Sequence, residues 1–445
     1  MAKEMEKRKV AIVKYENPTV SLRKAIELSD GFSGLKTTDS VIIKPNALTW
    51  DNDHYLPPFG FFTTTRMVED MVILLKDFGI GDITIAEGAV KIYEDTPDSD
   101  FVMEKLGYEK MVKRYGVKLV DLNKSDSQKI ELTEGLTVSI AEDVLNVDFL
   151  IDLPVMKTHA QTKVSLGFKN LKGCLKTASK RLCHHPDIDL NMAISLIAEK
   201  IDPDLTVLDG IYVLEKGPMV TGNAYRANLI VASKDILAAD VTGTTLMGID
   251  PKEIDHLRYY SERLEESLDI ADYDVVGEEI EAVKKPVKWD WSWNEGNTGP
   301  TVFDRMGIKG VAVPKYDTTL CTGCSPVVNI ANIFILSAKM QGGQGGEDNP
   351  FSNFEILSGK KMLGRFGYDR TILLGNCIIK ANKDNPNIKE ALEVKGCPPT
   401  VEDLKGALTK CGVKFVDGAY DFYMDQIAKK YEGKEEFDES HFRCA

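Results

Sequence analysis

The sequence predicts an α/β protein: a layered, largely parallel sheet in an N-terminal domain, then a second, smaller α/β domain. Three observations predict it. Short apolar runs alternate with helical patterns through the first 250 residues, the arrangement of helices layered on a parallel sheet. The length, 445 residues, exceeds one ordinary core. The composition changes near residue 285, where a Pro-, Trp- and Gly-rich stretch interrupts the alternation. The predicted domains are therefore 1–285 and 286–445.

In chain order, the expected buried strands are VAIVKY (10–15), VIIKPN (41–46), DITIAEG (82–88), KLVDL (118–122), FLIDLPV (149–155), LTVLDG (205–210) and NLIVAS (228–233). Helical patterns separate several of them: SLRKAIELSDGF, TTRMVEDMVILLKDFG, LNMAISLIAEKI and ILAADVTGTTLMG. PKEIDHLRYYSERLEESLDI reads as a charged helix, and EEIEAVKKPVKWDWSWNEGNTGP as irregular. The smaller domain is read from VFDRMGIKGVAVPKY, FEILSGKKML, RTILLGNCIIKAN and VKFVDG. Ligands collect at the carboxyl ends of strands in such sheets. VIIKPN, AEG, LPVMKTH and LDG end strands with polar residues or glycine, so a site is expected there.

Hydrophobic residues make up 43% and charged residues 28%, a globular balance, and the net charge is −14. That charge argues against nucleic-acid or anionic-membrane partners. No run of 18 apolar residues and no signal-peptide pattern is present, so the cytoplasm is the expected compartment. Eight cysteines are too sparse for a disulfide scaffold, which leaves free thiols or metal ligation. A homo-oligomer is compatible with all of this.

Cys321 and Cys324 form Cys-Thr-Gly-Cys; Cys377 follows in LLGNCII after 52 intervening residues, and Cys397 in KGCPPT after 19 more. A two-residue gap lets two sulfurs point to one centre, and four thiolates suit zinc or an iron–sulfur cluster. Structural zinc sites use two close pairs; scattered single ligands favour a cluster, here one [4Fe–4S]. The plain alternative is a redox CxxC pair or buried thiols. Two prolines and a helix cap at Thr400 hold Cys397 in a rigid loop. GCPPTVEDLKGAL resembles the cluster-ligand motif of nickel–iron hydrogenase small subunits and the related complex I subunit, over about 13 residues. Cys411 lies on the apolar face of the helix that follows, with Leu404, Ala407 and Leu408, and is read as core. Cys444 is read as a mobile surface thiol, and Cys174 and Cys183 as unligated.

No acidic residue occurs between Asp152 and Asp187, while seven lysines and arginines do. In so acidic a chain this creates a local positive potential for a carboxylate or phosphate. Lys157, His159, Lys169, Asn170 and Lys172, just past a strand end, are read as the site; Lys176 and Lys180 are read as a solvated helix face. Thr63, Thr64, Thr65 and Arg66 begin a helix whose N–H groups either bind an anion or are simply capped. QGGQGG (341–346) is neither a P-loop nor a dinucleotide fingerprint and is read as a flexible loop over a site.

VIIKPN (41–46), LPVMKTH (153–159), VSLGFKNLKG (164–173) and TVLDGIYVLEKGP (206–218), in that order and spacing, resemble the domain of unknown function 362 family, over roughly residues 8–260. Many of its members resemble iron–sulfur proteins with an added ferredoxin-type module. One CxxC and two isolated cysteines depart from that pattern and imply a single cluster. The resemblance carries over the polar positions Lys44, Asn46, Lys157, Thr158, His159, Lys169, Asn170, Lys172 and Asp209. It implies Lys44 for binding an anion, His159 for proton exchange and Asp209 as a base or cation ligand, the last beside a turn-forming role.

The leading expectation is an iron–sulfur oxidoreductase or electron-transfer protein, isolated anaerobically. One [4Fe–4S] cluster on Cys321, Cys324, Cys377 and Cys397 would act on an anionic small molecule, a second cofactor or a redox partner. The alternatives are a lyase or isomerase with an open iron as Lewis acid, and a non-enzymatic binding protein stabilised by metal.

Overall fold

Seven apolar runs form seven strands of one sheet, because each carries too little polar surface to face water on either side. In the computed structural model these are β1 (Lys9–Lys14), β2 (Ser40–Pro45), β3 (Asp82–Glu87), β4 (Lys118–Asp121), β7 (Phe149–Leu153), β10 (Leu205–Glu215) and β11 (Asn223–Ser233). The structure describes residues 7–217, 221–289, 292–340, 351–416 and 418–444. The QGGQGG loop lies outside the described residues.

With β12 (Asp274–Gly277), these strands run in the order β12-β1-β11-β10-β7-β2-β3-β4. All neighbours are parallel except β1–β11 and β11–β10. Two short strands complete the sheet: β8 (Val155–His159) runs parallel to β10, and β9 (Lys163–Ser165) antiparallel to β8. The period-two alternation divides the core. Ile43, Ile85 and Ile151 point to the side covered by the helices Val20–Leu28 and Thr65–Phe78, whereas Ile42, Leu150 and Leu208 point to that of Leu190–Ile201 and Ile236–Leu246. Side chains cap three of these helices: Thr64 accepts from the Met67 amide at 3.2 Å, Asp189 from Asn191 at 2.7 Å and Asp235 from Ala238 at 2.7 Å. A separate hairpin, β5 (Ser127–Thr133) with β6 (Leu136–Ala141), was not read from the sequence.

The smaller sheet is wholly parallel, in the order β13 (Val311–Ala312), β14 (Phe354–Leu357), β15 (Arg370–Leu374), β16 (Ala391–Val394). The helices Ser325–Met340 and Val401–Lys410 cover one face, and Cys411 is buried in that core. VKFVDG is irregular over 413–416. The boundary read at 285 falls between β12 and β13. The chain end returns to the first core, where Met424, Tyr431, Phe437 and Phe442 pack around Phe59 and Tyr212. Cys444 is buried in the same core at 5% exposure, not mobile at the surface, because this returning segment carries it inward.

Candidate functional site

The carboxyl ends of both sheets open on one cavity of about 130 Å³. Lys44 and Asn46 close β2, Glu87 and Gly88 close β3, and Lys157, Thr158 and His159 close β8. Lys169, Asn170, Lys172 and Lys180 come from the short helices after β9, and Thr322, Ser325 and Pro326 from the cysteine segment opposite. Strand ends supply the ligand-facing groups here as they do in other open α/β sheets.

The floor is a polar network with almost no exposure. The Lys44 ammonium donates to both Glu87 oxygens at 3.0 Å, to Asn170 Oδ1 at 3.2 Å and to the Pro45 carbonyl at 3.0 Å. The Glu87 carboxylate also accepts from the Gly88 amide at 2.7 Å and the Ala47 amide at 3.0 Å. Asn170 donates to Asp152 at 2.8 Å, and burial pushes that carboxyl well above its usual range. Lys157 donates to Asn46 Oδ1 at 2.5 Å and to the Phe61 carbonyl at 2.8 Å, with its ammonium 5.4 Å from the Phe61 ring centre. Two glycines permit this closeness. A Cβ on Gly173 would overlap Glu87 Oε1 and lie 2.6 Å from Lys44 Nζ, and one on Gly88 would lie 2.7 Å from Lys180 Nζ.

Five lysines and one carboxylate line the cavity, so its potential is positive. Desolvation lowers Lys157 to about 7 and Lys180 to about 8. Lys169 falls well below its ordinary value through desolvation and the neighbouring Lys172 and Lys157. It has no hydrogen-bond partner among the described residues. His159 is held neutral by burial and the lysines around it; its Nδ1 accepts from the Gln161 amide at 3.2 Å, which leaves the proton on Nε2. The Lys172 ammonium donates to His184 Nε2 at 2.9 Å, and His184 Nδ1 donates to the Thr318 carbonyl at 2.8 Å.

The sequence reading placed Lys180 on a solvated face. It is instead buried, donating to the Gly88 carbonyl at 2.5 Å and to Asn123 Oδ1 at 2.9 Å. The helix Thr177–Leu182 lies against the β3 end, which sequence spacing alone does not convey. Lys176, read the same way, is half-buried and donates to the Ser125 and Leu122 carbonyls. Glu87, His184, Gly88 and Gly173 were not singled out from sequence; the quoted strand end AEG was the available signal for Glu87. Asp209 does not line the cavity. Its carboxylate accepts from the Thr64 amide at 2.6 Å and the Ile211 amide at 3.0 Å, and burial raises it to about 6. Thr64 caps its helix, and Arg66 donates to the carbonyls of Ser440 and Arg443, so neither faces the cavity.

Opposite the floor, the four cysteines come from loops at one edge of the small sheet. Cys377 follows β15, Cys397 follows β16, and Cys321 and Cys324 precede the helix Ser325–Met340. The Gly375 amide donates to the Val394 carbonyl at 2.9 Å, Asn376 N to the Gly396 carbonyl at 3.0 Å, and Gly396 N to Asn376 Oδ1 at 2.9 Å, which clips two of the loops together. Gly375, at φ 103°, has room for no Cβ without approaching Cys324 Sγ to 3.1 Å. The Cys397–Pro398 bond is cis. The thiol of Cys324 donates to the sulfur of Cys321, which lowers Cys321 and raises Cys324. Cys377 and Cys397 influence Cys324 electrostatically, as neighbours do. Among the described residues, the group of three potential ligands with donor atoms all within 4.8 Å is Asp98, Asp100 and Asp121, not a trio of these cysteines. Four thiols at the carboxyl end of one sheet are the donor set that either zinc or an iron–sulfur cluster takes.

The basic segment grips the cysteine side. Arg181 donates to the Cys397 carbonyl at 3.1 Å and to the Lys91 and Ile92 carbonyls at 3.2 and 3.1 Å. Gln161 donates to the Asp317 and Leu320 carbonyls at 3.0 Å each, and Lys360, after β14, to the His184 carbonyl. No described helix is long and apolar enough to cross a membrane.

A thylakoid-associated protein of Synechocystis sp. is 28% identical to this chain over 247 residues, covering 53% of this chain and 71% of that protein. Among solved structures, the lactate racemase apoprotein from Thermoanaerobacterium thermosaccharolyticum aligns at 14% identity with a TM-score of 0.36, covering 55% of this chain and 58% of that one. A protein from Thermotoga maritima aligns at 14% identity with a TM-score of 0.32, covering 52% and 60%. This chain therefore spans under two thirds of either solved chain. Every lysine of the cavity floor, though none of the four clustered cysteines, falls within residues 41–245, the stretch that matches the family described as a domain of unknown function, DUF362.

Proposed function

We propose that the protein is an iron–sulfur oxidoreductase in which Cys321, Cys324, Cys377 and Cys397 hold one [4Fe–4S] cluster beside a cavity for an anionic small molecule. One observation carries the reading: Thr322 and Ser325, from the Cys-Thr-Gly-Cys-Ser segment, line the same cavity as Lys157, Lys169 and Lys172. When bound, such a cluster supplies or accepts single electrons. The chain's own residues do the rest. Lys157 and Lys172 bind the anion, the apolar wall excludes water, and the neutral His159 offers its Nε2–H as a hydrogen-bond donor.

The test is iron and acid-labile sulfide analysis of protein purified anaerobically. The expected result is about four irons per chain with broad visible absorbance. Stoichiometric zinc without iron contradicts it.

The contact of the cavity with Thr322 and Ser325 also supports a second reading, a lyase or isomerase with one iron open as a Lewis acid. Replacing each of the four cysteines by serine separates the two. One tolerated position supports the open iron, and equal loss at all four supports electron transfer.

A further inference from the structure

The cavity has two unlike ends. Its floor is charged and buried: Lys44, Lys157, Lys172 and Lys180 are at most 6% exposed. Its mouth is partly exposed and largely apolar, formed by Leu48, Val90, Ile92, Ala160 and Pro326 with the buried ring of Tyr316.

On the floor, charges do not balance. Glu87 answers Lys44, and the groups facing the remaining amines are further lysines, the neutral imidazoles of His159 and His184, and carbonyl or amide oxygens. Asp152 stands behind Asn170, outside the cavity lining, and accepts from it at 2.8 Å. Four amines, on Lys157, Lys169, Lys172 and Lys180, thus line the cavity with one carboxylate, Glu87, and that one is paired with Lys44. Lys169 enters from the side of the cavity and is unpartnered. Size sets a further limit. One water needs roughly 10–15 Å³ by the same measure, so the volume corresponds to about ten water-sized positions, a small molecule and not a dinucleotide.

Resting on the reading of this cavity as the substrate site, we infer that the substrate is a small amphiphilic acid. Its head is a compact dianion, a phosphate monoester or a pair of adjacent carboxylates, seated among Lys157, Lys169 and Lys172. Its apolar body lies along Leu48, Val90, Ile92 and Tyr316. The dianion matches the amine excess; the apolar body is what the mouth can cover and an inorganic anion cannot.

Calorimetric titration tests this with phenyl phosphate, phthalate, inorganic phosphate, benzoate and phenol, on protein whose iron content is measured in the same sample. Phenyl phosphate or phthalate is expected to bind at least about tenfold tighter than inorganic phosphate, benzoate or phenol. The tighter of the two dianions identifies which head is used. Lys169→Met, which removes no hydrogen bond of the folded chain, is expected to weaken the preferred dianion about tenfold and to leave phenol unchanged. Phenol binding as tightly as the dianions, inorganic phosphate matching phenyl phosphate, or an unaffected Lys169→Met protein overturns the inference. Full iron with no dianion affinity sinks this inference alone, whereas tight dianion binding by protein that never takes up iron sinks the cluster reading alone.

Discussion

At the carboxyl end of the large sheet the lysines are sealed in: Lys44 is fully buried against Glu87, and Lys157 and Lys180 are locked onto backbone carbonyls. At the carboxyl end of the small sheet, Cys377 and Cys397 are exposed, and their loops are fixed mainly by backbone clips around Gly375 and Gly396. The same strand-end geometry is thus finished in two ways. Buried charge is costly without a partner, so Lys44, Lys157 and Lys180 are held by partners in the folded chain, and that part of the floor is preorganised and costly to disturb. Exposed thiols make no such demand, and their order is expected to come from what they bind.

That contrast breaks at the floor with the largest effect. Glu87→Gln leaves Lys44 buried without its counter-charge and should cost about 3–5 kcal/mol in urea unfolding, a loss seen with or without iron. Gly375→Ala probes the edge. A side chain at positive φ against Cys324 Sγ should lower iron content per chain and cost about 1–3 kcal/mol, with anion affinity unchanged. If Gly375→Ala weakened anion binding and spared iron, the two regions would not divide as described.

A pH series sharpens the comparison further. Lys157 titrates near 7 and Lys180 near 8 because burial disfavours their ammonium forms. Only the ammonium attracts an anion, so phenyl phosphate affinity should be greatest below about 7 and fall as pH rises through 7 to 8. The ligand's own second ionisation, near 6, sets the lower limit of that window. Calorimetry from pH 6 to 9 reads it; affinity that rises through this range contradicts the assignment. The smallest effect is expected at the seam. Arg181→Ala removes bonds to the Cys397, Lys91 and Ile92 carbonyls and should cost about 1 kcal/mol, read by the unfolding midpoint.

The sheet order could not be read from the sequence, but seven of its ten strands could, since apolar runs such as VIIKPN are buried on both faces and have little else to become. The β5–β6 hairpin escaped because its strands alternate polar and apolar residues, with one side on the core of the large sheet, and SQKIELT reads as surface. Lys44, Asn46, Lys157, Thr158, His159, Lys169, Asn170 and Lys172 do line one cavity. Asp209 does not, because a strand-end aspartate is equally suited to hold the amides of the next turn. Lys180 was misplaced for a physical reason: whether a helical lysine is solvated depends on what packs over it, here Gly88 and Asn123 from 92 and 57 residues away. Cys444 was misplaced likewise, since burial of a chain end depends on a groove that sequence position does not reveal.

The claim that joins the two regions is that a cluster on the four cysteines and an anion on the lysine floor share one cavity. Electron paramagnetic resonance of the reduced protein, with and without saturating phenyl phosphate, tests it most directly. The account predicts a cluster signal whose shape shifts on adding the dianion and not on adding phenol. A cluster signal left unchanged by a dianion that calorimetry shows to be bound would contradict it.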